Sequence, residues 1–385
     1  MRYPVSLATV LREWGRIGCI GFGGPPTHIA LLRRLVVEER GWLEPAELED
    51  AVAACNLLPG PTSTQLAIFC ARQVRGTAGG LVGGLAFILP GLAAILALAA
   101  LFLESAPPLW VLGAGAGAGA AVAAVAVQAG WKLLQPSRRA APAGWSAARW
   151  ALYAAGGASV AALAGPWVVV ALLGCGACEV AVAAPALRRG GLASLVPLPL
   201  LLFAGAGGAA SLAWTAFKVG GLAYGGGFVI VPLLQGDAVG AHHWLTHSQF
   251  LNAVALGQVT PGPVVQTVAV VGYGAAGLGG GLLAAAVAFA PSFAFVLVGG
   301  GRFEAIRRNR TARAFLDGAG PAAIGAILGV AVPLARALTE GWQYAVLAGA
   351  AVLLVPARRG VVPTLVAAGL VGVVVALAGG PLPGR

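Results

Sequence analysis

Charged side chains are scarce in this sequence. Only 10% of its 385 residues are Asp, Glu, Lys or Arg, whereas 59% are hydrophobic; a soluble domain carries about 25% charged residues. The composition therefore excludes an ordinary soluble globular protein. Six apolar runs reach the roughly 20 residues that a bilayer-spanning helix needs: residues 81–103, 110–130, 150–187, 201–223, 275–300 and 361–378. These runs predict an all-α polytopic membrane protein.

Acidic residues are especially few, with 13 Asp and Glu against 24 Lys and Arg and a net charge of +11. Such an excess is also typical of nucleic-acid-binding proteins. Here the basic residues lie in short clusters between apolar runs, as they do in the cytoplasmic loops of membrane proteins. We therefore expect membrane lipids, and no nucleic acid, as partners.

Cysteine offers no framework for disulfides or a metal. Five cysteines are present, and Cys175 and Cys178 have CxxC spacing. They lie within an apolar run, and no second CxxC completes a tetrahedral site. We expect no metal, no cofactor and no enzyme activity.

The sequence repeats itself at a constant offset of 202 residues. Phe22-Gly23-Gly24 matches Tyr224-Gly225-Gly226, Trp42-Leu43 matches Trp244-Leu245, and Pro59-Gly60-Pro61 matches Pro261-Gly262-Pro263. Tryptophan and a Pro-Gly-Pro triplet do not recur by chance in Ala/Gly-rich sequence. The repeat predicts two homologous halves, residues 1–190 and 191–385.

The distribution of basic residues indicates that the two halves have opposite orientations. The segment after the first helix holds Arg33, Arg34 and Arg40, whereas its counterpart at 235–248 has no Lys or Arg. Residues 104–108 have none, but their counterpart at 302–313 has five arginines. Because cytoplasmic loops are the basic ones, this reversal predicts inverted-topology repeats, as in many secondary transporters.

The two Pro-Gly-Pro triplets predict broken helices. Proline inside a helix costs roughly 3 kcal/mol, and the basic segments before and after the first triplet both suggest the cytoplasmic side. With basic loops at 132–149, 188–189 and 358–359, a consistent path has ten spanning helices and two re-entrant broken ones. If the broken helices cross fully, the count is twelve.

We predict an anion site at these two breaks. Irregular backbone at membrane depth is tolerated where it lines a cavity, and the N-terminus of each following half-helix attracts anions. Pro61 and Pro263 suit the first helical position. The candidate substrate-binding residues near the breaks are Asn56, Pro59, Gly60, Pro61, Thr62, Ser63 and Gln65 in the first half, and Gln258, Pro261, Gly262, Pro263 and Gln266 in the second.

Two further pairs complete the candidate site. Gly23 and Gly24, with Gly225 and Gly226, allow positive φ and close approach of the backbone to a ligand, although they suit helix packing equally well. Arg16 and Lys218 are equivalent cations seven residues before Gly23 and Gly225. A cation within a bilayer usually faces a cavity or a partner, so both are candidates to meet a dianion; pairing of Arg16 with Glu13 is the alternative.

Four motifs occur in order, at 21–25 (Gly-Phe-Gly-Gly-Pro), 41–43 (Gly-Trp-Leu), 59–62 (Pro-Gly-Pro-Thr) and 87–91 (Phe-Ile-Leu-Pro-Gly). With them the chain resembles the chromate ion transporter family over nearly its whole length. The second half departs from the pattern, since Gly227 stands where Pro25 does and Ser292 where Pro90 does.

The resemblance implies a multi-pass protein of the bacterial inner membrane that exports chromate and confers chromate resistance. It also implies the proton gradient as driving force, and a homodimer is a candidate assembly. Sulfate has the same charge and nearly the same shape as chromate, so a carrier of sulfate or another oxyanion is the alternative. A membrane-embedded chromate reductase and a non-transporting sensor are further alternatives.

Overall fold

Helices make up all the regular structure in the part of the chain that the computed structural model describes, namely residues 5–55, 60–104, 106–140, 145–187, 208–223, 229–299 and 309–383. The first half holds α1 Leu7–Ile20, α2 Pro25–Arg33, α3 Pro45–Cys55, α4 Thr62–Phe102, α5 Leu109–Ala140, α6 Trp145–Leu163 and α7 Val168–Leu187. The second half holds α8 Ala209–Leu222, α9 Ile230–Gln235, α10 His247–Val259, α11 Thr267–Gly299, α12 Arg310–Gly329, α13 Ala331–Arg336, α14 Gly341–Leu354 and α15 Val361–Leu377.

Short stretches of other helix types extend these elements at corresponding places. A π-helix, Arg34–Glu39, continues α2, and another, Gly236–Ala241, continues α9. Gly165–Trp167 forms a 3-10 turn between α6 and α7, and Val264–Gln266 forms one before α11. The predicted apolar run at 150–187 is therefore two helices separated by a turn.

The two longest helices each fold back on themselves at a kink. In α4 the backbone leaves helical geometry at Arg75 and Gly76, and Gly76 has φ +65°. In α11 the same happens at Ala276 and Gly277, where φ is +61°. Glycine tolerates this left-handed backbone without steric cost. Each long helix thus consists of a short arm before its kink and a long arm after it.

Glycines let the two arms of each long helix pack against each other. A Cβ on Gly79 would lie 2.5 Å from the Ala71 carbonyl, and one on Gly84 would lie 2.6 Å from Ile68. In α11 a Cβ on Gly281 would lie 2.9 Å from the Ala269 carbonyl. Side chains larger than hydrogen at these positions would force the arms apart.

The long arms of α4 and α11 cross the centre of the molecule in opposite directions. Gly80 lies against Leu297, Gly84 against Phe293, and Gly281 against Leu96. As the residue number rises along α4, the contacting number falls along α11, so the arms are antiparallel. These two arms form the contact between the halves at the centre of the core.

Several of the remaining helices pack against helices of the other half. α5 from the first half packs mainly against α14 and α15 from the second, and α12 from the second half packs mainly against α6 and α7 from the first. Each half therefore covers part of the other, and one hydrophobic core runs through both.

The charged segment after α1 is helical rather than the loop that the sequence predicts. α1 and α2 form an antiparallel hairpin, in which Arg40 contacts Glu13 at 2.5 Å and Arg16 contacts Glu39 at 3.4 Å. α8 and the π-helix after α9 meet in the same way, through Lys218 and Asp237. We call these the first hairpin (residues 7–39) and the second hairpin (209–241).

Both hairpins begin with a helix that is too short to span a bilayer. α1 and α8 have 14 residues each, about 21 Å at 1.5 Å per residue, whereas the hydrocarbon core is about 30 Å thick. Whether the first helix crosses the membrane stays a prediction, and the chain turns back at the glycine cluster after it. The predicted loop at 132–149 is partly wrong, because α5 continues to Ala140.

Four helical stretches in the described residues are long and apolar enough to cross a membrane: Thr62–Phe102, Leu109–Arg139, Val264–Gly299 and Arg310–Arg336. Shorter apolar helices accompany them, and large apolar side chains such as Leu163, Val298 and Val374 are exposed on the outer surface. Exposed apolar surface of this extent suits contact with lipid. The chain is a helical, multi-pass membrane protein, although the expected ten spans are not confirmed.

Close packing between α5 and α15 gives a first prediction. In α15 a Cβ on Gly372 would collide with the Gly113 carbonyl. Because overpacking a tight contact costs about 1–3 kcal/mol, we expect Gly372→Ala to lower the thermal unfolding midpoint of the purified protein in detergent. The matched control is Gly349→Ala on α14, where nothing lies within 4 Å of the added methyl group. Equal loss of stability in both variants would contradict this packing.

Candidate anion site at two helix breaks

The second Pro-Gly-Pro break lies against the tip of the first hairpin. α10 ends at Val259, and the chain turns through Gly262, whose φ is +99°. The Gly262 N–H donates a hydrogen bond to the Gly21 carbonyl oxygen at 2.9 Å. Gly21 is the residue at which α1 ends. An N–H group that the break leaves without a helical partner is thus bonded to a carbonyl at a helix end in the other half.

Gln266 fixes the same break to α4. Its Nε2 donates to the Ile88 carbonyl oxygen at 2.8 Å, two residues before Pro90. Pro261 packs so closely on α4 that any side chain at Gly91 would collide with the Pro261 carbonyl and with Gln266. The break of the second half therefore packs on α4 at the motif Leu89-Pro90-Gly91.

The first break has a corresponding environment. Gly60, with φ +119°, lies where a Cβ would be 2.7 Å from Gln65 Nε2, 3.1 Å from Ser292 Oγ and 3.4 Å from the Gly220 carbonyl. Ser292 and Gly220 belong to α11 and α8, so this break lies against the second half. Asn56 and Pro59, two predicted site residues, lie outside the described residues.

Each break is followed by a helical N-terminus with free donors. Pro61 and Pro263 cap these termini with extended ψ of 105° and 134°, so the prediction that they occupy the first helical position is wrong by one residue. The N–H groups of Thr64 and Gln266 are bonded to Pro61 and Pro263 carbonyl oxygens. Among the described residues, none accepts a hydrogen bond from the N–H groups of Thr62, Ser63, Val264 and Val265. These four N–H groups are the candidates for attracting an anion.

Buried polar side chains surround the two termini. Those less than 9% exposed are Thr62, Ser63, Thr64, Gln65, Gln258, Thr260, Gln266 and Thr267. Among the described residues, several of the nearby polar atoms have no hydrogen-bond partner: Thr64 Oγ1, Gln258 Nε2, Gln266 Oε1, Ser292 Oγ and His28 Nδ1. Unpaired buried polar atoms are rare and costly, so this concentration marks a place built to bind something polar.

The glycine cluster supplies the close backbone approach that the sequence predicts. Gly23 and Gly24 have φ of +100° and +76°, and α2 begins immediately after them. A Cβ on Gly24 would lie 3.9 Å from Val264, at the start of the second half-helix. Gly225 and Gly226 lie outside the described residues.

The two candidate cations have different surroundings. The Arg16 side chain is 55% exposed and pairs with Glu39 and, at 3.9 Å, with Glu13, which is the alternative that the sequence left open. Lys218 is 20% exposed and holds Asp237 Oδ2 at 2.5 Å, and Thr215 donates to the same oxygen at 2.7 Å. Lys218 lies two residues before Gly220, which borders the first break. Of the two cations, Lys218 is the more buried.

Sequence reasoning missed one residue of this region, His28. Its side chain is fully buried, and its Nε2 lies 2.9 Å from the Gly21 carbonyl that also accepts from Gly262. A single histidine after a Gly-Pro-Pro segment gives no periodic or repeat signal. Its importance follows only from the hairpin that places it beside the second break.

The structure groups no three His, Cys, Asp or Glu side chains in a way that could hold a metal, as far as its described ranges extend. Cys175 is half-buried and Cys178 is exposed, and both are free thiols.

The base of the first hairpin gives a second prediction. Glu13 is only 4% exposed and accepts from Arg40 at 2.5 Å. Because a hydrogen bond to a charged group contributes about 1.5–3 kcal/mol, we expect Glu13→Gln to destabilise the protein by that amount in thermal unfolding. Glu49→Gln is the matched control, since its pair with Arg33 is largely exposed and such pairs contribute about 0–1 kcal/mol. A loss no larger than that of the control would contradict a structural role for Glu13.

Comparison with known proteins places this geometry in a family. The family model for chromate transporters matches residues 8–179 and 210–374. The chromate transport protein of Cupriavidus metallidurans is 33% identical over 341 residues, covering 86% of this chain and 83% of that protein. The probable chromate transport protein of Synechococcus elongatus is 31% identical, over 86% of this chain and 85% of the relative. The chromate transport protein of Pseudomonas aeruginosa is 30% identical, over 88% of this chain and 83% of the relative.

No solved structure matches the chain. The family model covers most of the sequence, and three curated relatives agree with it over more than four-fifths of their length. The chain belongs to the chromate transporter family.

Proposed function

We propose that this protein is a secondary active transporter that exports chromate across the bacterial inner membrane and thereby confers chromate resistance. The observation that carries the proposal is the membership of the family together with two helix breaks whose N-termini retain free, buried N–H groups. Such termini stabilise a bound anion through their partial positive charge. The protein acts on chromate without changing it chemically, so it is not an enzyme.

The proposed site uses the backbone for affinity and Lys218 for charge. Thr62, Ser63 and the N–H groups of Val264 and Val265 donate to the oxyanion, with Gln65, Gln258 and Gln266 as further donors. Backbone N–H groups and amides bind any tetrahedral oxyanion, so this arrangement fits chromate and sulfate equally. A sulfate or other oxyanion carrier is the second candidate function.

We also propose that residues 1–190 and 191–385 are inverted-topology repeats. The antiparallel crossing of α4 and α11 supports this, since equivalent helices run in opposite directions only when the halves are inverted. The kinks at Gly76 and Gly277, nearly one repeat apart, support it too. Inversion would place the two breaks on either side of one central site.

The driving force in this proposal is the proton gradient, and a homodimer is the proposed assembly. Neither enters the argument for the site itself, which one chain supplies. The inner membrane is the proposed location because an exporter that uses this gradient must lie where the gradient is maintained.

Chromate uptake into everted membrane vesicles tests the function. We expect vesicles that contain the protein and are energised to be acid and positive inside to accumulate chromate. Because the geometry of the site does not separate the two anions, family membership is the ground for expecting excess sulfate to leave the uptake largely intact. Vesicles without the protein are the control. Uptake abolished by sulfate would move the function to a broader oxyanion carrier, and absence of uptake of either anion would contradict the proposal.

Lys218 gives a further prediction. A charge-assisted hydrogen bond contributes about 1.5–3 kcal/mol, and each 1.4 kcal/mol is tenfold. We therefore expect Lys218→Ala to reduce the initial rate of chromate uptake by about tenfold or more. Arg358→Ala, in the exposed loop before α15, is the control and should keep the wild-type rate.

Loss of folding is separated from loss of the site by a second variant. Lys218→Ala leaves Asp237 half-buried without its cation, so Lys218→Ala/Asp237→Ala removes both charges. We expect the double variant to elute from gel filtration as the wild type does, with uptake still reduced. Wild-type uptake in a Lys218 variant would overturn the assignment of this cation.

A further inference from the structure

His28 is a titratable side chain that shares a backbone acceptor with the second break. Its Nε2 lies 2.9 Å from the Gly21 carbonyl oxygen, and the Gly262 N–H donates to that same oxygen. The Phe87 ring packs edge-on against the imidazole, with 5.0 Å between ring centroids. The imidazole thus packs on α4, and it shares the Gly21 carbonyl at the tip of the first hairpin with the break.

The other ring nitrogen of His28 has no partner. The side chain is 0% exposed, and Nδ1 has no hydrogen bond to any described group. Because Nε2 faces a carbonyl, it is the protonated nitrogen of a neutral imidazole, and Nδ1 then carries an unpaired lone pair. Leaving such an atom buried is costly, and protonation would convert it into a charged donor.

His28 belongs to the first half alone. Its counterpart by the repeat is Ile230, which is buried and cannot titrate. The two halves therefore differ in whether they place a titratable side chain at this position.

We propose that His28 is the proton-binding residue of the oxyanion site: Nδ1 takes up a proton when the dianion binds, and the positive charge of the imidazolium stabilises the anion from beside the second break. This inference rests on the proposed function. The proton comes from water, the dianion gains no covalent bond, and the proton leaves Nδ1 when the anion is released. Binding therefore consumes one proton for each dianion.

Charged groups on the neighbouring elements do not take this role from His28. The elements that pack against α2 carry Arg12, Glu13, Arg16 and Cys19 on α1, Arg34, Glu38 and Glu39 on the π-helix, Glu47, Glu49, Asp50 and Cys55 on α3, and Cys70, Arg72 and Arg75 on α4. The ion pairs described among them and with Arg33 and Arg40 join Glu13 to Arg12, Arg16 and Arg40, Glu39 to Arg16 and Arg34, and Glu49 to Arg33. None of the described contacts of these groups is with the imidazole.

The pH dependence of chromate binding tests this inference. The purified full-length protein in detergent is titrated with sodium chromate by calorimetry between pH 6.5 and 8.5, for the wild type, His28→Gln and His242→Gln. One linked proton changes a dissociation constant by up to about tenfold per pH unit. We expect wild-type binding to weaken with rising pH by several-fold per unit more than binding to His28→Gln does. The protonation of free chromate affects all three proteins equally.

His242→Gln is the matched control, because His242 is exposed and stacked on Trp244. It should keep the wild-type pH dependence. The ¹⁵N-imidazole NMR spectrum of the wild type is a second measurement that needs no variant of His28. Of the four histidines, we expect one to change from neutral to doubly protonated when chromate is added at pH 7.5.

The outcomes separate the two proposals. If chromate binds the wild type and His28→Gln with the same pH dependence, and no imidazole changes its protonation, the inference about His28 is overturned and the proposed function stands. If the wild type binds neither chromate nor sulfate, the proposed function fails, and the inference fails with it.

Discussion

A backbone that leaves helical geometry inside a bilayer exposes N–H and C=O groups that no water can reach, and the rest of this structure depends on how those groups are paired. Each unpaired group in hydrocarbon costs several kcal/mol. Here the first half pairs the second break. The Gly262 N–H of the second break bonds to the Gly21 carbonyl at the end of α1, and Gln266 bonds to Ile88. The second half thus depends on the first to bury its break.

That requirement explains the abundance of glycine at particular places. A break can reach a carbonyl on another helix only if the two backbones approach closely, and Gly91 and Gly60 provide that approach at the two breaks. The kinks at Gly76 and Gly277 bring the two arms of each long helix together for the same reason. Among the described residues, a small set of N–H groups at two helix N-termini stays without an acceptor after these contacts. In the proposed site, affinity for an anion is thus a consequence of how the fold pairs its irregular backbone.

The sequence predicts the helical class and the polar residues of this fold better than it predicts the course of the chain through the fold. Hydropathy, Pro-Gly-Pro and the repeat are local signals, so the helical membrane class, the two breaks and their polar neighbours follow from them. The first hairpin does not, because Arg33, Arg34 and Arg40 have the composition of a loop, and only their carboxylate partners, such as Glu13, make them part of a packed helix. The pairing of Lys218 with Asp237 could not be predicted either, since it depends on the second hairpin bringing residues nineteen positions apart together.

The differences between the halves bear on the energetics of transport. With two identical halves, the site would offer a dianion the same environment from both sides of the membrane. In this chain the first half supplies His28 and the second supplies Lys218 with Asp237, so the two sides of the site are chemically distinct. If His28 binds one proton with each dianion, the moving complex carries a charge of −2 + 1 = −1. A potential that is negative inside the cell then favours its outward movement, while the pH gradient opposes it. The electrical part of the proton gradient, at about 2.3 kcal/mol per charge for each 100 mV, is therefore the part that can drive export through such a site.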